Sequence, residues 1–201
     1  MESTPNHIES ICVFCGSRPG DSEVFTEVTK KLGEEMNRRK YGLVYGGGNV
    51  GLMGTISETI HNGGGRVQGI IPHGLAPKEI SGTSMGEVVY VEDMHSRKKI
   101  MYERSDAFIA LPGGIGTFEE LFETLTWIQL GIHSKPVGIL NIDGYYTHLQ
   151  ALLETSAKRG FIDQKFINSI VFSDDPIDLL NKLETTKPPS SLFKWIKTSQ
   201  I

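Results

Sequence analysis

The sequence predicts a single-domain α/β fold: a doubly wound, Rossmann-like and mostly parallel sheet with helices on both faces. Three observations carry that expectation. Short, nearly continuous apolar runs alternate with segments whose apolar residues recur at helical spacing, each run is too short to be a helix, and three of the runs are followed by glycine-rich turns. In such a sheet ligands bind beyond the carboxyl ends of the strands, so these turns would gather on one rim.

Taken in order, the first strand spans Ile11 to Cys15 and ends in the turn Gly16 to Gly20. Val24, Phe25, Val28, Leu32 and Met36 then form the apolar stripe of a helix. A second strand, Leu43 to Tyr45, runs into the turn Gly46 to Gly54, and two more follow at Val67 to Ile71 and Val88 to Val91. Phe108 to Leu111 stops at Pro112, turns through Gly113, Gly114 and Gly116, and opens an acidic helix paced by Leu121, Leu125 and Ile128. Val137 to Leu140 precedes a helix carrying Leu149, Leu152 and Leu153, and a run at Ile170 to Phe172 with a helix from Pro176 to Leu183 completes the sheet's edge. The expected organisation is a flexible N-terminus over 1–9, one domain over 10–185, and a tail over 186–201 that includes Leu192 to Ile196.

At 201 residues and 38% hydrophobic content the chain can bury one good core. Its net charge of -4 and scattered lysines and arginines argue against binding a nucleic-acid polymer, which leaves a small nucleotide as the expected partner. The first ten residues lack the halves of a signal peptide, and no apolar stretch reaches the length of a membrane span, so a soluble intracellular protein is expected. Cys12 and Cys15 stand three apart on a strand and should point to opposite faces, which makes them buried thiols. The six histidines show no ligand spacing, so no metal is expected.

The chemistry is expected at residues 106–120. A glycine loop opening a helix offers free backbone N–H groups and the positive end of the helix dipole to an anion, with Thr117 adding a hydroxyl and Glu120 a carboxylate one turn on. Thr117 and Glu120 equally fit a capping box, in which the carboxylate merely satisfies a backbone donor. Gly46, Gly48 and Gly51 meet the dinucleotide pattern, but the stretch from Gly69 to Gly74 has no acid for a ribose, which disfavours NAD and leaves mononucleotide contact or a structural turn. A P-loop ATPase is disfavoured because no Gly-Lys-Ser or Gly-Lys-Thr occurs. Arg97 either reaches into the crevice, where a guanidinium can grip phosphate or ribose oxygens, or joins a solvated face with Lys98 and Lys99. Glu79 reads first as a solvated loop residue, and His95 and His133 receive no role.

Gly46-Gly-Gly-Asn-Val-Gly-Leu-Met-Gly54, Met94-His-Ser-Arg-Lys98 and Pro112-Gly-Gly-Ile-Gly-Thr-Phe-Glu-Glu120 together resemble the LONELY GUY (LOG) family of cytokinin-activating phosphoribohydrolases, over roughly residues 10 to 185. The text around Trp127 to His133 and Gly144 to Tyr146 resembles a plant member. The resemblance implies hydrolysis of the N-glycosidic bond of N6-substituted adenosine 5′-monophosphates to the free cytokinin base and ribose 5-phosphate, with water as second substrate and no cofactor. It places catalysis on Arg97 and Glu120. Substrate contacts fall on Gly47, Gly48, Glu79, Lys98, Gly113, Gly114, Ile115, Gly116, Thr117, Phe118, Glu119 and Thr126. It also implies a homodimer; the expected location is the cytoplasm, with the nucleus as an alternative. Ile115 stands where plant members commonly carry Tyr, and Lys99 where a small residue is usual, and both bear on substrate preference. The alternative of the same architecture is a nucleotide or molybdenum-cofactor carrier. Related proteins have been called lysine decarboxylases, but nothing in the sequence marks a pyridoxal phosphate site.

Overall fold

The computed structural model describes residues 5–75 and 85–187. Within them seven strands form one sheet: β1 (Ser10–Phe14), β2 (Gly42–Tyr45), β3 (Val67–Pro72), β4 (Glu87–Val91), β5 (Ala107–Ala110), β6 (Val137–Leu140) and β7 (Val171–Ser173). They lie in the order β4-β3-β2-β1-β5-β6-β7, and every neighbouring pair is parallel. The helices between them are α1 (Glu23–Arg38), α2 (Gly51–Asn62), α3 (Met94–Glu103), α4 (Ile115–Gln129), α5 (Thr147–Lys158), α6 (Gln164–Ile167) and α7 (Pro176–Thr185). Among the described residues, no helix is long and apolar enough to cross a membrane.

Alternation along each strand splits the core in two. Val13, Leu43, Tyr45 and Ile109 pack beneath α1, α2 and α7 against Leu32, Ile56 and Leu179. Cys12, Phe14, Phe108 and Ile139 pack on the opposite face against Leu121, Leu125 and Leu153. Cys12 and Cys15 therefore sit in different clusters, both free and buried, as their three-residue spacing predicts.

The strand order decides where the site can form. The chain lays down β1 to β4 in one direction, then returns to place β5 on the other flank of β1. The connections leaving β1 and β5 diverge to opposite faces and open a crevice beyond their carboxyl ends. At the N-terminus the sequence reading expects residues 1–9 to be loose, yet Asn6 is tied to the end of α7. Its N–H donates to the Glu184 carbonyl (2.7 Å), and its side chain donates to those of Leu183 and Thr186 (both 2.7 Å). The tail from residue 188 onward, with Leu192 to Ile196, lies outside the described residues.

Candidate active site

Two loops meet at the switch point. The Gly16 N–H donates to the Pro112 carbonyl (3.0 Å), and a Cβ on Gly16 would stand 3.2 Å from the Gly113 Cα, so the β1 and β5 loops run in backbone contact. The Gly16 carbonyl accepts the N–H groups of Leu52 and Met53 (3.1 and 3.3 Å). Those first amides of α2 are thus consumed within the protein. Of the two helix starts at this switch point, the one left open to a ligand is that of α4.

Helix α4 begins at Ile115 with Gly114 as its cap residue, and no side chain caps it. Its first amides have no carbonyl one turn back to bond, so an anion can take that place. This start also settles the capping-box question. Thr117 lies at the third helical position rather than at the cap, and Glu120 sits a turn further in, so the Thr–Glu spacing is not a capping box here.

A cavity of about 350 Å³ opens in front of this helix start and is lined by Gly114, Ile115, Gly116, Thr117, Glu119, Glu120 and Arg97. Arg97 reaches it from the first turn of α3. Asp93 caps that helix by accepting the Ser96 N–H (2.7 Å), a bond that also holds the Asp93 carboxyl below its usual range. Arg97 is only 6% exposed. Its Nη2 donates to the Gly46 carbonyl (3.1 Å) and stands 4.0 Å from Glu120 Oε1, whose side chain is 12% exposed. Its Nη1 lies 3.8 Å from Met94 Sδ, and its Nε is buried without a partner among the described residues. Gly46 makes this possible, because a Cβ there would lie 1.9 Å from Nη2.

Burial, reinforced by the Glu120 charge, pushes both the Cys12 and Cys15 thiols up, so each stays protonated under the site. His133 packs on the rings of Tyr102 and Phe108 (5.2 and 5.5 Å) and lines no part of the cavity.

The structure gathers Arg97, Gly114, Ile115, Gly116, Thr117, Glu119 and Glu120, while the other expected residues lie differently. Gly113 borders a second cavity of about 550 Å³ that shares Gly16 and Gly114 with the first. Gly47 packs on β3, where a Cβ would press on Ile71 at 3.0 Å, and of the three glycines that open that turn the one lining the first cavity is Gly46, not Gly47 or Gly48. Lys98 is engaged by Glu119 (2.5 Å) and Glu123 (2.9 Å). Phe118 packs against Tyr145 and Tyr146. The Thr126 hydroxyl donates to the Phe122 carbonyl (2.7 Å) on the exposed face of α4. Glu79 lies outside the described residues. Sequence reasoning also passed over Ser17, Met53 and Met94, which line the cavity, and the only signal for Ser17 was its place just after a strand in a glycine turn.

A family profile described as "Possible lysine decarboxylase" matches residues 53–183. Among similar proteins of Arabidopsis thaliana is the cytokinin riboside 5'-monophosphate phosphoribohydrolase LOG7, 49% identical, with 100% of this chain and 94% of that protein covered. The chain belongs to the LOG family. A second Arabidopsis thaliana LOG protein, LOG2, bears the same description and is 49% identical over 96% of this chain and 91% of its own length. Among solved structures, the molybdenum cofactor carrier protein of Chlamydomonas reinhardtii superposes with a TM-score of 0.65 at 21% identity, over 88% of this chain and 98% of that one. At that identity it shares the fold alone.

Proposed function

We propose that this chain hydrolyses the N-glycosidic bond of N6-substituted adenosine 5′-monophosphates, giving free base and ribose 5-phosphate, as the names of its LOG relatives describe for them. The observation that carries this reading is the placement of Glu120 beside Arg97 a turn and a half beyond an uncapped helix start. The five steps from Ile115 to Glu120 advance about 7.5 Å at roughly 1.5 Å per residue, a span comparable with a ribose 5-phosphate. The α4 amides and Thr117 hold the 5′-phosphate, and the anomeric carbon then faces Glu120.

Cleavage builds positive charge on the ribose as the bond from C1′ to N9 lengthens. The Glu120 carboxylate offsets that charge and takes a proton from water. The hydroxide adds to C1′, N9 departs with the bonding electron pair, and a proton returns to the base. Arg97, anchored on the Gly46 carbonyl, fixes Glu120 and offers its guanidinium to ribose or phosphate oxygens. A carrier would gain little from a carboxylate beside its ligand's anion, which favours hydrolysis over the carrier alternative.

We read the working unit as a homodimer. Ile115, 81% exposed at the cavity mouth, and Phe122 leave apolar surface on α4 that a second copy would cover, with Thr126 on the same exposed side. Glu79 and Thr126 would then contact substrate in the assembled enzyme.

The test is to incubate the protein with isopentenyladenosine 5′-monophosphate, its riboside and AMP, and to quantify liberated base by chromatography. Release from the monophosphate and not from the riboside is expected. Equal release from both would remove the phosphate anchor, and release from none would overturn the reading.

A further inference from the structure

Three consecutive carbonyls of the loop after β5 are each held by a different partner. Tyr146 Oη donates to the Leu111 carbonyl (2.7 Å), the Gly16 N–H to that of Pro112 (3.0 Å), and Tyr145 Oη to that of Gly113 (2.5 Å). In a trans peptide the carbonyl and the following N–H point in opposite directions. Fixing the Pro112 and Gly113 carbonyls therefore fixes the N–H groups of Gly113 and Gly114, which lead into the open start of α4.

The two tyrosines do this from unequal positions. Asp143 and Gly144 adopt left-handed backbone (φ 51° and 72°), and the Asn141 side chain accepts the Tyr146 N–H (2.5 Å), so this turn sets both rings. Tyr146 is 1% exposed, and its hydroxyl bond is part of the core. Tyr145 is 41% exposed at the edge of the second cavity. Its ring is held independently of its hydroxyl, edge-on to Tyr146 (4.9 Å) and Phe25 (6.4 Å) and stacked on Phe118 (6.4 Å). The Tyr145 hydroxyl thus contributes little to packing. What it does hold is the last carbonyl before the anion-facing amides.

We infer that Tyr145 is a positioning residue for the substrate's phosphate, acting through the Gly113 carbonyl to pre-orient the amides that bind it. This rests on the function proposed above, and it assigns phosphate affinity to a residue outside the glycine signature. A hydroxyl that pre-orients a binding loop changes affinity for every ligand carrying the anchored group and leaves unanchored ligands alone.

The test is Tyr145→Phe in the full chain, with Tyr146→Phe beside it. Three measurements are made: kcat and KM for isopentenyladenosine 5′-monophosphate, calorimetric binding of ribose 5-phosphate, and thermal unfolding. Tyr145→Phe should raise both KM and the ribose 5-phosphate Kd by roughly three- to tenfold as the loop loses its pre-orientation, with kcat within about twofold and an unfolding midpoint lower by no more than about 2–4 °C. Tyr146→Phe should lower the unfolding midpoint. Unchanged KM and Kd in Tyr145→Phe, or a fall in kcat and midpoint with KM unmoved, would overturn the inference. Wild-type protein that binds ribose 5-phosphate without cleaving the nucleotide would sink the proposed function instead, and the Kd comparison would still decide the role of Tyr145. Wild-type protein that does not bind ribose 5-phosphate would sink this inference.

Discussion

Arg97 on α3 and Glu120 on α4 face one another across 4.0 Å at the sheet's switch point, with Arg97 anchored to the carbonyl of Gly46 from a third element. Opposite charges brought this close, nearly out of water and in front of an open helix start, are the pair to which the proposed function assigns catalysis.

Glu120→Gln and Arg97→Lys should therefore leave the fold intact and cut turnover by about a hundredfold or more, the scale of a lost preorganised electrostatic contribution. The lysine variant fails because an ammonium cannot reproduce the guanidinium plane, whose Nη2 meets the Gly46 carbonyl while its Nη1 reaches Met94. Base release measured beside circular dichroism checks this, and near-normal turnover in both variants would remove the assigned roles.

Gly46→Ala should damage activity without any change to a charged group. Its methyl would occupy the place of Arg97 Nη2, and displacing the guanidinium by an ångström or more should cost about a hundredfold in kcat/KM. A normally active Gly46→Ala protein would show that the anchor is dispensable.

Lys98 bridges α3 to Glu119 and Glu123 of α4, so Lys98→Met should loosen the Arg97–Glu120 spacing. The expected result is an unfolding midpoint lower by about 2–4 °C, for roughly 1 kcal/mol in a partly exposed pair, and a kcat that falls more than KM rises. A rise in KM alone would place Lys98 on the substrate.

Acid should destabilise the protein in two stages. His133 is lowered to about 4, by burial first and by the nearby Lys135 charge next. The unfolded chain therefore binds a proton that the folded state refuses, so this stability is complete above about pH 6.5 and drains as pH falls to about 4. Glu35 is lowered to about 2 by its hydrogen bond from Arg38, with Arg39 adding and burial opposing, and its contribution is lost between about 4.5 and 2. Urea titrations across pH should show His133→Asn flattening the upper stage and Glu35→Gln the lower. Unchanged slopes would refute the assignment.

The sequence by itself determined the β/α alternation, the opposed cysteines, the glycine loop after β5 and the candidacy of Arg97 and Glu120, because periodicity and turn chemistry are written locally along the chain. Only the tertiary structure decided that Glu120 is no part of a capping box, since the start of a helix at Ile115 rather than Thr117 is a property of the docked loop. The same holds for Gly46 in place of Gly47 and Gly48, for Lys98 bound to two glutamates, and for Tyr145 behind the glycine loop. Each of these depends on a partner 21 to 51 residues away, and such pairings are fixed only when strand order brings distant loops to one rim.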